Sequence, residues 1–226
     1  MEAVWVPIAV VASLAIVFVW FKYLYFVRDP EREIPDGDNI VSPADGTVIY
    51  VKEIERGRVP IATKSGREIA VTEITKLPDL HFGGGKQVGI HMGIFDVHVN
   101  RAPISGKIDS LFYYRSINRS MIKIGLRTLL GLKPYYTASE YLIQNERETS
   151  IIRAENGTSI CLVRIADRVV NKIVSLKKEG DSVAKGERIG LIKMGSQVDI
   201  ILPPGVAVLV KEGDRVVAGE TMIASF

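Results

Sequence analysis

The run KEGDSVAKGE at 178–187 returns as KEGDRVVAGE at 211–220, an offset of 33 residues, and this duplication decides the reading of the fold. Each copy carries a Gly-Asp turn, Gly180-Asp181 or Gly213-Asp214, and a second glycine six residues on, Gly186 or Gly219. Glycine and aspartate at that spacing, with apolar residues between, is a hairpin signal.

Outward from the repeat the chain reads as short β-rich runs punctuated by Gly, Pro and Asp: NIVSPADGTVIYVKEI, REIAVTEI, QVGIHMGIFDVHVN, GKIDSLFYY, SIIRAENGTSICLVRI. Such strands at such spacing predict a mostly β (α+β) domain, a sandwich or barrel. The duplicated hairpins resemble the barrel-sandwich hybrid of biotinyl and lipoyl carrier domains, which present a modifiable lysine. Here the segment between the copies, LIKMGSQVDIILPPG, is marked instead by a Gly-Ser pair, Gly195-Ser196.

The composition divides the chain in two. Of 226 residues 47% are apolar and 24% charged, with mean hydropathy +0.17, which excludes a disordered or disulfide-scaffold protein. The apolar excess is concentrated at the start, where no charged residue occurs from Ala3 to Phe21. Aromatic Trp20, Phe21, Tyr23 and Tyr25 follow as an interfacial belt, then Lys22, Arg28 and Arg32. Residues 1–27 are therefore expected to be a transmembrane anchor, and residues 28–226 a domain held by the positive-inside rule on the cytoplasmic side of the cell membrane. The alternative is a buried or interfacial helix.

A net charge of +3 with acids and bases interleaved gives no reason to expect nucleic acid. Residues 115–134, RSINRSMIKIGLRTLLGLKP, mix Leu, Ile and Met with five basic residues and no acid, which suits either a lipid headgroup layer or an ordinary amphipathic segment. The single Cys161 lies in an apolar run and reads as a buried, inert thiol. His81, His91 and His98 are spaced by ten and seven residues, so no metal site is expected. Gly83-Gly84-Gly85-Lys86 lacks the spacing of a phosphate-binding loop.

Three motifs bear on chemistry: SPADGTV with Asp45, FDVHVNRAP with His98, and KMGSQVDIILP with Gly195-Ser196. Taken singly, Ser196 is a turn residue, Asp45 a turn former and His98 a core histidine. Taken in order, with YFVRDPEREIP, NERE and CLVRIA between them, the chain resembles the phosphatidylserine decarboxylase family in its short, membrane-anchored form, which includes archaetidylserine decarboxylases.

The resemblance implies a proenzyme that cuts itself between Gly195 and Ser196 into a β chain, 1–195, and an α chain, 196–226. Attack of the Ser196 hydroxyl on the Gly195 carbonyl would give an ester, then dehydroalanine, then a covalent N-terminal pyruvoyl group derived from Ser196. That group would form a Schiff base with the serine amine of a phosphatidylserine-type lipid and act as electron sink while CO2 leaves. A glycine before the serine leaves its carbonyl unshielded, and the hydroxyl needs a base, the role expected of His98. The family match assigns the orienting carboxylate to Asp45.

Asn100 and Arg101 are candidates for binding the substrate carboxylate or phosphate, Arg101 standing where some relatives carry a second histidine. His91 stands where a plainer residue is expected. The oligomeric state is left open, a homo-oligomer included. The competing reading is a non-enzymatic membrane adaptor with a lipoyl-like domain, against which stands the lack of sustained heptads.

Overall fold

The computed structural model describes residues 2–20, 24–25, 28–62, 68–78, 83–136, 140–168, 173–193 and 196–226. Helix α1 (Glu2–Trp20) is followed by β1 (Asn39–Val41), β2 (Gly46–Glu55), β3 (Arg58–Ala62), β4 (Glu68–Ala70), α2 (Val71–Thr75), β5 (Gly84–Met92) and β6 (Val99–Arg101). Next come β7 (Gly106–Tyr114), α3 (Ile122–Leu129), α4 (Tyr141–Gln144), β8 (Arg147–Arg153), β9 (Ser159–Ala166) and β10 (Ile173–Ser175). The last elements are β11 (Ser182–Val183), β12 (Arg188–Ile192), β13 (Ser196–Leu202), β14 (Ala207–Val208), β15 (Arg215–Val216) and β16 (Met222–Ser225). The domain is mostly β, as expected, and its pairings are antiparallel.

The main sheet runs β11-β7-β8-β9-β13-β5-β2-β3-β4, with β15 on β2. Alternation along the strands sends their side chains to two cores. Val88, Ile90, Met92, Val198, Ile200 and Leu202 belong to one, while Tyr50, Cys161, Val163, Ile165 and Ile201 belong to the other, which α2, α3 and α4 cover with Ile74, Ile124 and Leu142. Residues Val71–Thr75 correct the expectation of a strand through REIAVTEI: Glu73 accepts a bond from the Ala70 amide, and Lys76 at φ 59 closes a single helical turn.

The two repeats are built alike. In each, the aspartate three residues past the lysine of Lys-Glu-Gly-Asp caps its own turn, Asp181 Oδ2 accepting from Lys178 N at 2.9 Å and Asp214 Oδ2 from Lys211 N at 2.9 Å. Each docks on a segment of the same form, APISGKI (102–108) for the first copy and SPADGTV (42–48) for the second. The Gly186 amide meets Ala102 O at 2.8 Å, and the Gly219 amide meets Ser42 O at 2.8 Å. The two docking segments bond to each other reciprocally, Val41 N to Pro103 O at 3.0 Å and Arg101 N to Pro43 O at 2.9 Å. A pseudo-twofold axis therefore runs between them.

Residues 28–38 cross this axis as a strap. The Ile34 side chain lies where a Cβ on Gly186 or Gly219 would stand, at 2.2 and 2.9 Å, so both positions require glycine. Asp29 pairs with Arg101 at 2.7 Å and also with Arg188, and Arg32 pairs with Asp45 at 3.0 Å. The strap ties the domain to α1.

The anchor expectation needs correction. Among the described residues no helix is long and apolar enough to cross a membrane. Helix α1 has 19 residues, a rise of about 28 Å against a hydrocarbon core of about 30 Å. Phe21, Lys22 and Tyr23, expected in the aromatic belt and its basic flank, lie outside the described residues.

Behind β13 the second core encloses a carboxylate. Asp199 is fully buried and accepts from Tyr50 OH at 2.8 Å, Gln87 Nε2 at 2.7 Å and Gln197 Nε2 at 2.6 Å. Burial raises its pKa to about 6, the donors pulling it down only in part. A Cβ at Gly89 would stand 2.4 Å from the Tyr50 ring that holds this cluster. Gly89→Ala, made on the uncut Ser196→Ala chain, should cost about 1–3 kcal/mol in urea unfolding, whereas Gly83→Ala, which meets nothing within 4 Å, should stay within about 0.5 kcal/mol. Equal losses would show that the Tyr50 ring yields freely.

Candidate active site

Ser196 opens β13, the strand held on both edges: it faces Met92 of β5 and Ala166 of β9. It is fully buried, and its hydroxyl lies 3.3 Å from the Met92 thioether. Asn100, also fully buried, donates to the same sulfur at 3.7 Å, and its Oδ1 has no hydrogen-bond partner. Met92, Asn100 and Ser196 thus form one cluster. Gly195, the other half of the expected scissile pair, lies outside the described residues, as do Met194 and His81.

His98 reaches this region because β5 ends at Met92 and the chain turns through residues 93–97. The Gly93 amide donates to Asp96 Oδ2 at 2.7 Å, closing that turn. His98 O accepts from Ile192 N at 3.2 Å, so His98 sits beside the end of β12, the strand that leads into Ser196. Its Nδ1 meets Asp96 O at 2.8 Å. Because a carbonyl only accepts, Nδ1 carries the proton and Nε2 is the basic nitrogen. Burial lowers the His98 pKa to about 4, against an opposing pull from the Asp96 carbonyl and carboxylate. The imidazole is therefore neutral at working pH, the state in which it takes a proton.

Asp45, which the resemblance gives as the orienting carboxylate, has other hydrogen-bond partners in the structure. Asp45 accepts from Arg32 at 3.0 Å and from the Ala218 amide at 2.7 Å, not from His98. Across the pseudo-twofold, Ser105 Oγ takes the Lys185 amide at 2.9 Å, the equivalent bond sixty residues on. Asp45 thus does for the second repeat what Ser105 does for the first. The field that reaches His98 is that of Asp96, which is held by Arg215. It stands two residues before the histidine, in Phe-Asp-Val-His.

Asn100 and Arg101 part company because neighbours on a strand face opposite ways. Asn100 enters the Ser196 cluster. Arg101 turns to the strap, donating to Asp29, to Pro30 O at 3.0 Å and to Gly186 O at 3.0 Å. Its guanidinium is thereby engaged by the strap and the first repeat.

His91 joins the electrostatics of the site although no role was assigned to it. It lies on β5 opposite Gln197, its Nδ1 is buried without a partner, and burial lowers its pKa to about 4, with Asp96 opposing and His98 and Arg215 adding to the drop. Cys161 is fully buried and burial pushes its thiol pKa upward, in keeping with an inert side chain. Among the described residues no cluster of His, Cys, Asp or Glu is placed to hold a metal. A cavity of about 540 Å³ lined by Gly84, Ser159, Pro203 and Phe226 lies at the far end of β5, β9 and β13 and is remote from Ser196.

Comparison with known proteins bears on this arrangement. The model of the family described as phosphatidylserine decarboxylase matches residues 21–224. A phosphatidylserine decarboxylase proenzyme of Erythrobacter litoralis is 38% identical over 210 residues, 92% of this chain and 74% of that protein. A protein of Methanocaldococcus jannaschii named as an archaetidylserine decarboxylase proenzyme is 36% identical over 214 residues, 94% of this chain and 93% of its own length. A phosphatidylserine decarboxylase proenzyme of Solibacter usitatus is 34% identical, over 94% of this chain and 82% of that protein. With a match of this extent over the segments that build the Ser196 cluster, the chain belongs to the phosphatidylserine decarboxylase family.

Proposed function

We propose that this chain is a proenzyme that cuts itself before Ser196, leaving segments of 195 and 31 residues, and then removes the carboxylate of a serine-headgroup phospholipid as CO2. The observation that carries the reading is the burial of Ser196 at the head of β13, against Met92 and Asn100, with a neutral His98 beside the strand that leads into it. The relatives' names, with acyl-ester and isoprenoid-ether lipids among them, share the serine phosphodiester headgroup, and the reading commits to that headgroup.

His98 Nε2 takes the Ser196 hydroxyl proton as Oγ bonds to the Gly195 carbonyl carbon. The Gly195–Ser196 C–N bond breaks and the proton passes to the amine, leaving an ester. Loss of the Cα proton of residue 196 expels the Gly195 carboxylate, and water then releases ammonia. The pyruvoyl group so formed supplies a conjugated carbonyl that takes up the electron pair when CO2 departs. Residue 196 suits such a group: Met92 and Ala166 shut out water, and the unpartnered Asn100 amide offers a polar contact. Asp96, through its carbonyl, fixes which nitrogen of His98 is basic, and through its carboxylate favours the imidazolium once the proton has moved.

Helix α1 is associated with the bilayer in this reading, without crossing it. Ile8, Val11, Leu14, Ile16, Val17 and Phe18 are each more than half exposed and together face every side of the helix, a surface that water does not suit. Arg28, just beyond it, donates to the carbonyls of Tyr25 and Phe95, which brings the lipid-facing end of the strap against the turn that carries Asp96 and His98. Family membership, together with the buried serine, disfavours the adaptor reading.

Intact-mass analysis of the purified protein should find a fragment of residues 196–226 with a blocked N-terminus, and Ser196→Ala should give one uncut, inactive chain. Uncut wild type with full decarboxylase activity would overturn the reading. His98→Ala should slow self-cleavage about 10²–10⁴-fold, read as the uncut fraction with time, and unchanged processing would remove His98 as the base.

The pH profile carries a further expectation. With its pKa lowered from 6.5 to about 4, His98 stays unprotonated across that window, so processing should show no acid limb near pH 6.5 and should fall only toward pH 4. The same shift makes the stability contributed by His98 fully present above pH 6.5 and lost as pH falls through 4, so unfolding is followed in parallel. A limb at 6.5 with the fold intact would contradict a buried neutral base.

A further inference from the structure

We infer that α3 is a second lipid contact of this enzyme, lying in the headgroup layer of an anionic bilayer with its apolar stripe inward. The helix is amphipathic the wrong way round for a domain surface. Its core face is narrow, Met121 and Ile124, both almost fully buried. Its outward face carries Ile122, Leu126, Leu129 and Leu130, exposed by 65, 53, 77 and 64%. Positions i, i+4, i+7 and i+8 share one side of a helix, so these four make a continuous apolar stripe. Ile117 before the helix and Leu132 after it, 89 and 49% exposed, extend it.

Charge selects the occupant. Residues 115–134 carry Arg115, Arg119, Lys123, Arg127 and Lys133 and no acid. An apolar stripe edged only by cations matches an anionic headgroup layer over an acyl layer, and it would repel its own copy across an isologous contact. Arg127 closes the end of the helix on Lys133 O at 3.0 Å and Pro134 O at 2.6 Å, so the stripe is presented by a fastened turn.

Position completes the case. A Cβ on Gly125 would stand 3.4 Å from His91 Nε2, which fixes α3 against the end of β5 that leads into Met92 and the Asp96-His98 turn. At that turn Ile94 and Phe95 are exposed, and Arg28 joins Phe95 to the strap from α1. The start of the strap, the turn and α3 thus border the same end of β5, where the Ser196 cluster lies. A bilayer that held α1 would meet α3 close to the site that must receive a headgroup.

The full-length processed enzyme is mixed with phosphatidylcholine vesicles with and without phosphatidylglycerol, which carries charge but no serine. Leu126→Ser with Leu129→Ser should lower partition onto the anionic vesicles at least tenfold. Lys123→Gln with Arg115→Gln should lower it roughly fivefold per charge on anionic vesicles and leave neutral vesicles unaffected. Turnover of detergent-dispersed phosphatidylserine should be unchanged in both variants, which separates failure of the docking surface from failure of the decarboxylase reading. As a variant that keeps the stripe, Leu129→Cys carrying an environment-sensitive dye should shift to the blue on anionic vesicles, the buried Cys161 remaining unlabelled. Unchanged partition and no dye shift would overturn the inference. Unchanged partition with loss of an oligomer in gel filtration would instead make this face an interface between copies.

Discussion

The double pairing of β13 is the constraint on which the rest depends. Ser196 through Leu202 pair with β5 on one edge and, from Ser196 to Ile201, with β9 on the other. All seven residues are buried. A strand so held has no freedom at its first residue, which fixes the serine hydroxyl against Met92 before any chemistry begins. The same ladders mean that a cut before Ser196 leaves the C-terminal segment in place. Its β13 stays central in the sheet, β15 on β2, and β16 between β1 and β14. A protein that divides itself at this bond keeps its core because the new terminus starts an interior strand.

Around that strand the pseudo-twofold distributes the structural work. Two turn segments, SPADGTV and APISGKI, take the two repeated hairpins in the same way, and the strap crosses between them. Charged residues that look chemical in the sequence are drawn into this frame: Asp45 caps a hairpin and meets Arg32, while Arg101 and Arg188 share Asp29. Such partly buried pairs are costly to break from one side, since the remaining charge loses its partner. They fasten the strap to the two hairpin docking segments, and the polarity of the active region is left to His91, Asp96, His98 and Asn100.

The histidines and Asp199 share one physical condition, burial that disfavours their charged forms: it lowers the pKa of His91 and His98 to about 4 and raises that of Asp199 to about 6. For His98 that condition is useful, because a base must be unprotonated to act. For Asp199 it reflects a carboxylate enclosed behind β13 by three donors, a cluster that sets the position of Gln197 next to the serine. The two sides of one strand thus carry distinct tasks, as the period of two demands.

The sequence by itself determined the features that depend on neighbours along the chain. Gly-Asp turns at a 33-residue offset specify hairpins locally, and the apolar excess before Phe21 specifies a helix that water does not suit. The order of motifs identified the family. The second duplication, xPx[D/S]G at 43 and 103, was present in the sequence but hidden by its divergence. Only the tertiary structure decided that Asp96 stands by His98 while Asp45 serves a hairpin, that Asn100 and Arg101 face apart, and that α3 turns its leucines outward. Asp45 takes its partners Arg32 and Ala218 from 13 and 173 residues away, and the other outcomes rest on which face of a strand, turn or helix a side chain takes. Local pattern fixes the element, but the choice among several carboxylates is made by whichever donor the packed sheet brings within reach.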